Sequence, residues 1–212
     1  MPRRVCDVSK LDSLLAHPVV AKLRAALQTR REPGGADEEG VRRAAVAIII
    51  RASAEDASPE ILFIKRADYP GDPWSGQVAF PGGREEPGDT SLAETAIRET
   101  REETGIDLDG EGTVLGMLDA FRPRTPGLPS IIVRPFVAVL DRDAPLELSS
   151  EVALAFWVPL VALQPAESWR DTTVFARGVQ IDARAFQHEG HVIWGMTERI
   201  LGQLLELLEP PA

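Results

Sequence analysis

Apolar positions in the first thirty residues recur every three or four places. Leu11, Leu14 and Leu15, then Val19, Val20, Leu23 and Leu27, form stripes of this kind. That spacing predicts two short amphipathic helices across residues 8–31, broken near Pro18. "REPGGADEEG" (31–40) has the composition of a linker. The period then changes. "AAVAIIIRA" (44–52) and "ILFIKRA" (61–67) are dense in β-branched and apolar residues and predict buried strands around a polar loop. "TVLGMLDAF" (113–121) and "SIIVRPFVAVL" (130–140) predict two more, on either side of the Pro/Gly-rich "RPRTPGLP". "EVALAFWVPL" (151–160) fits a turn, a strand or a short helix, and residues 173–195 fit short strands or a hairpin. "MTERILGQLLELLE" (196–209) predicts a closing amphipathic helix.

The most charged helix lies in the middle of the chain. Ser91 and Glu94 have the spacing of a capping box, and Gly105 stands where a left-handed residue stops a helix. These signals predict a helix over about residues 92–104, with Leu92, Ala93, Ala96, Ile97 and Thr100 on its packed side. The element order is strands, one charged helix, more strands, then a helix. It predicts an α/β fold with a mixed sheet and helices on its faces.

Composition narrows the function classes. The formal net charge of −10 argues against a nucleic-acid or anionic-membrane partner. No apolar run approaches the roughly 18 residues of a membrane helix, and no apolar core follows the basic start of the chain, so a cytoplasmic location is expected. The single cysteine, Cys6, can form neither an internal disulfide nor a cysteine metal cluster. His17, His188 and His191 lack the spacing of a zinc site.

The candidate chemistry lies in "FPGGREEPGDTSLAETAIRETREETGI" (80–106), which holds seven carboxylates behind a double glycine. Glu99, Glu102 and Glu103 stand at i, i+3 and i+4 and so project toward one side of the helix. Runs of Glu and Arg usually make a solvated helix face, and Arg98 and Arg101 would offset part of the repulsion. The lopsided placing of the acids, with Gly82 and Gly83 upstream to allow close backbone approach, points instead to hard oxygen ligands for Mg2+ or Mn2+. Such an ion would relieve the repulsion and bridge to a diphosphate.

The same stretch resembles a Nudix box. Gly83 leads, Asp89 takes the first acid position and "RETREETGI" (98–106) closes it. Asp89 replaces the usual Glu, one extra residue precedes Arg98, and Thr100 replaces an aliphatic residue. The longer box, "FPGG" and "IWGMT" (193–197) are similar to the coenzyme A pyrophosphatase branch, as are "LFIKRA" (62–67) and Gly76. Asp72 stands where that branch has an arginine. The resemblance implies a Nudix α/β/α sandwich over residues 41–212, preceded by an N-terminal helical segment and linker over residues 1–40. It implies metal-dependent hydrolysis of a diphosphate linkage in a nucleoside diphosphate derivative, most of all coenzyme A. The alternatives are ADP-ribose, NADH or another nucleotide, or a non-catalytic ligand sensor of the same fold; all three helix glutamates are kept, which favours an enzyme.

By position, Glu99, Glu102 and Glu103 are the expected metal ligands, and Arg98 orients a carboxylate by charge-assisted hydrogen bonds. The water-activating base is Glu102 or Glu151. Arg66, Arg122 and Arg124 are candidate phosphate contacts, Trp74 a candidate stacking surface, and Gly82 and Gly83 a close approach to the substrate. The expected partner is a small nucleotide, with a homodimer left open.

Overall fold

The computed structural model describes residues 8–30, 40–72, 74–123, 130–141, 145–176 and 179–209. The linker expected at 31–40 falls almost wholly outside them, as do Cys6 and Arg124. In chain order the described elements begin with helices α1 (Val8–Ala16) and α2 (Pro18–Gln28) and strands β1 (Arg42–Ala52), β2 (Pro59–Arg66), β3 (Val78–Ala79) and β4 (Gly82–Arg84). Helices α3 (Leu92–Thr104) and α4 (Leu108–Glu111) precede β5 (Gly112–Met117), β6 (Ile131–Leu140) and β7 (Val152–Pro159). Helix α5 (Leu160–Leu163), strands β8 (Trp169–Ala176), β9 (Val179–His188) and β10 (His191–Trp194) and helix α6 (Gly195–Glu206) complete the chain.

Strand β1 is the spine of a mixed sheet. One edge runs parallel to β6 from Arg42 opposite Ile131 to Ile50 opposite Val139. The other edge is divided. Ala44–Val46 pair with β4, and Ile50–Ala52 pair with β2, both antiparallel. Strand β2 also carries β3 at Ile64 and Lys65, and β7 along Glu60–Arg66. Strand β5 lies antiparallel to β6 on the far side. The chain from β3 to β4 therefore crosses from β2 to β1 through Phe80 and Pro81, where the edge of β1 divides. That crossing brings Gly82 and Gly83 beneath α3.

Both faces of the sheet are covered, which is why β1 reads as a nearly unbroken apolar run. Its residues alternate between two cores with the period of a strand. Ala44, Ile48 and Ile50 join Leu23, Leu27, Phe186, Leu201 and Leu204. Ala45, Ala47 and Ile49 join Leu92, Ala96 and Ile106 under α3. Helices α1, α2 and α6 and the antiparallel β8–β9–β10 sheet supply the first layer; α3 and α4 supply the second. This is the expected α/β sandwich, with the N-terminal helices packed into its main core.

Segment 151–160, open in the sequence, is strand β7 followed by the short α5. The free edge of β2 supplies hydrogen-bond partners there, so a non-local ladder decides the state. The caps of α3 are local and agree with expectation. Ser91 Oγ accepts the Glu94 N–H at 3.2 Å, and Gly105 has φ 77° with its N–H donating to the Arg101 carbonyl. The capping box is not reciprocal, however. The Glu94 carboxylate accepts the Thr90 N–H at 2.7 Å, together with the Thr90 hydroxyl.

Candidate active site

The double glycine sets the distance between α3 and the sheet. A Cβ on Gly82 would lie 2.3 Å from the Ala45 carbonyl oxygen, and φ is +153°. A Cβ on Gly83 would lie 2.4 Å from the Glu99 carboxylate. The close approach expected from the sequence is thus made to a glutamate of α3. With that gap closed, the Gly82 N–H donates to Glu103 Oε2 at 2.8 Å.

The three helix glutamates share a side but not a depth. Side-chain exposure is 5% for Glu103, 17% for Glu99 and 56% for Glu102. All three line a half-open cleft of about 460 Å3, together with Glu151, Arg66, Trp74, Gly82 and Gly83. Burial pushes the Glu103 carboxyl up to about 7; the Gly82 N–H and Arg66 oppose that rise, while the charges of Glu99 and Glu151 add to it. Glu99 is also raised, by burial first, with Arg98 opposing and Glu102 and Glu151 adding. Carboxylates from α3 and from the turn before β7 therefore feel one another across one space.

Arg98 turns inward. Its Nε and Nη2 donate to the two carboxylate oxygens of Asp89 at 3.0 Å each, and Nη2 also donates to the Arg84 carbonyl at 2.9 Å. Its Nη1 donates to Glu99 at 3.0 Å and to Glu102 at 3.2 Å. The contact with Glu102 at i+4 is one of several, so the side chain is turned into the cluster of acids and is not a solvent-facing partner of Glu102 alone. Asp89 is the anchor, with the Thr95 hydroxyl donating to it as well.

The donor set suits a hard divalent cation: carboxylates on a rigid helix, one of them buried with a raised pKa that a cation would lower. Among the described residues, no three acid, histidine or cysteine side chains already converge closely enough to hold an ion. The like charges keep apart, and Arg98 draws Glu99 and Glu102 toward itself. Glu99, Glu102 and Glu103 are the residues that would hold such an ion.

Of the expected substrate contacts, Arg66 and Trp74 line the cleft. Arg66 Nη2 lies 3.1 Å from Asp72 and its Nη1 lies 3.9 Å from Glu103, while its buried Nε has no hydrogen-bond partner. The Trp74 backbone N–H donates to the other Asp72 oxygen at 3.1 Å. Arg122 is exposed and is not part of the wall, although its neighbour Pro123 is. Sequence reasoning did not single out Arg84, Glu86 or Gln77, nor Met196 and Thr197 at the start of α6, as wall residues. The Thr197 hydroxyl donates to the Val78 carbonyl at 2.9 Å and ties α6 to β3. Only the "IWGMT" similarity pointed to that end of the chain.

Comparison with known proteins identifies the family. The model of the Nudix domain matches residues 41–177. The chain is 31% identical to the human mitochondrial coenzyme A diphosphatase NUDT8 over 188 residues, 87% of this chain and 78% of that protein. It is 35% identical to the uncharacterized Nudix hydrolase NudL of Photorhabdus laumondii over 136 residues, 64% of this chain and 70% of that protein. Among solved structures, a MutT/nudix family protein from Enterococcus faecalis superposes with a TM-score of 0.50 at 15% identity, over 96% of this chain and 80% of that one; that likeness speaks to the fold alone. This chain belongs to the Nudix family and is a Nudix hydrolase.

Proposed function

We propose that the chain is a Mg2+- or Mn2+-dependent pyrophosphatase that cleaves the diphosphate bridge of coenzyme A or a closely related nucleotide. The observation that carries this reading is the buried Glu103 carboxyl, coupled to Glu99 and Glu151 in a cleft that also holds Arg66. Clustered acids alone would repel a diphosphate; a divalent cation reverses the local sign. Glu99, Glu102 and Glu103 would hold that ion. When bound, it supplies charge neutralisation on the phosphate oxygens and a more acidic water.

The remaining work falls to side chains and backbone. The Gly82 N–H orients Glu103, and Arg98 orients Glu99 and Glu102. Arg66 meets a phosphate oxygen once it leaves Asp72. Glu151 accepts the proton of the attacking water, because Glu102 is held by Arg98 at 3.2 Å while Glu151 lines the same cleft close enough for its charge to act on Glu99. Trp74 offers a face for a base, and Arg122, next to the wall residue Pro123, offers a cation to the outer phosphate.

The similarity to a coenzyme A diphosphatase supports the choice of substrate. Asp72 supports a second reading. Its carboxylate occupies the cleft wall and already engages Arg66, which favours a nucleotide with no further phosphate at that point, such as ADP-ribose or NADH. A metal-supplemented panel with products read by mass spectrometry decides. Phosphopantetheine from coenzyme A is the expected product. Cleavage of ADP-ribose or NADH with coenzyme A untouched selects the second reading, and no metal-dependent hydrolysis of any member overturns both.

A further inference from the structure

A second cleft of about 540 Å3 adjoins the first, and the two share Asp72, Gln77 and Val78 as a common wall. It lies between the chain around β3 and the small β8–β9–β10 sheet. Its chemistry differs from that of its neighbour. Among the described residues the first cleft is walled by eight charged side chains, among them Arg66, Arg84, Glu99 and Glu103. Among the described residues the second is walled by two, Lys65 and Asp72, beside His191 and a mixture of Thr173, Phe175 and Trp194. The His191 ring is fixed against Phe156 at 4.2 Å between centroids, and Phe175 is 74% exposed on its strand. The lining of this cleft mixes apolar and aromatic groups with about as many hydrogen-bonding ones.

We infer that this second cleft receives the uncharged distal arm of the substrate, a flexible chain bearing amide or hydroxyl groups, while the diphosphate lies in the first. The inference rests on the pyrophosphatase reading of the first cleft. Two observations give the orientation. The shared residues Asp72, Gln77 and Val78 place the second cleft beside the first, across the chain that leads into β3. Asp72 stands on that wall with its carboxylate toward Arg66, so an arm carrying phosphate would meet like charge on crossing it, whereas an uncharged arm would not. Thr173 and Phe175 thereby become specificity-determining residues that touch neither the acids nor the scissile bridge.

The test compares two substrates with the same adenosine diphosphate: dephospho-coenzyme A, which carries a long amide arm, and the methyl ester of adenosine diphosphate, which carries none. Thr173→Trp fills the cleft, and Phe175→Glu puts a charge on its rim; both positions are exposed, so the fold tolerates the change. Each variant is expected to lower kcat/KM for the long-arm substrate by about tenfold, mainly through KM, with the methyl ester unchanged within about twofold. Equal loss on both substrates, or no loss on either, overturns the inference. Calorimetric binding of the same two nucleotides separates it from the reading it rests on. If nothing is hydrolysed, the pyrophosphatase reading fails, yet the second cleft stands only if Thr173→Trp weakens the long-arm nucleotide selectively.

Discussion

Arg98 grips Asp89 along the edge of its guanidinium, Nε to Oδ1 and Nη2 to Oδ2, at 3.0 Å each. Asp89 is the shortened acid of the box, one residue farther from Arg98 than the family pattern has it. The result is a bidentate pair, with 16% and 4% of the two side chains exposed. The pair explains how one arginine can hold Glu99 and Glu102 in place: its own position is fixed from the other side.

Asp89→Asn should therefore uncouple Arg98 and cost about 3 kcal/mol of stability at neutral pH, since breaking a largely buried ion pair strands the remaining charge. The Arg98 guanidinium holds the Asp89 carboxyl well below the ordinary carboxylate range. A depressed folded-state pKa contributes stability above the unfolded value, near 3.9, and loses it as pH falls toward the folded value. Urea denaturation at pH 7 and pH 3 checks this: the gap between wild type and variant should narrow at the lower pH.

Glu103 has the opposite sign. Its folded-state carboxyl is raised to about 7 from an ordinary 4.5, so the apoprotein should lose stability as pH rises from 4.5 through 7. Glu103→Gln should remove that loss and leave the melting temperature at pH 8 no lower than that of wild type. It should also reduce turnover by about a thousandfold. Titration of Mg2+ or Mn2+ in buffers of different ionisation enthalpy should show proton release near pH 6.5 in wild type and none in the variant.

The two glycines should fail differently. Gly82→Ala places a methyl group on the Ala45 carbonyl at a φ that L-residues rarely adopt, so it should destabilise the fold by more than about 2 kcal/mol. For Gly83→Ala the three nearest atoms are all at the movable end of Glu99. It should cost less than about 1 kcal/mol and lower kcat by at least about tenfold by displacing a proposed metal ligand. Thermal melts alongside kcat separate the two.

Leu23 and Leu27, on α2, lie in the same core as Ile48, Phe63 and Leu204. Leu23→Ala should cost about 2–5 kcal/mol, the usual range for a buried leucine. Chemical denaturation of that variant would show the change; a loss below about 1 kcal/mol would mean that the N-terminal helices are a removable addition.

Much of this was legible without coordinates because the signals are local. Ser91 and Gly105 mark the ends of α3 through groups a few residues apart, and the spacing of Glu99, Glu102 and Glu103 follows from helical pitch alone. Strands β3 and β4 were not legible. At two and three residues they are too short for any period to register. They exist because β1 and β2 offer edges that need partners, and β7 is a strand for the same reason.

By itself, then, the chain determined that a capped helix would carry its acids on one side, behind two glycines and next to apolar strands, because those properties depend on neighbours in sequence. Only the tertiary structure decided that Glu103 is buried while Glu102 is not, that Arg98 answers to Asp89, that Glu151 lines the same cleft as Glu99, and that Asp72 engages Arg66. Each of those depends on which segments the divided edge of β1 brings together, and strand pairing between distant residues leaves no mark in the spacing of either one.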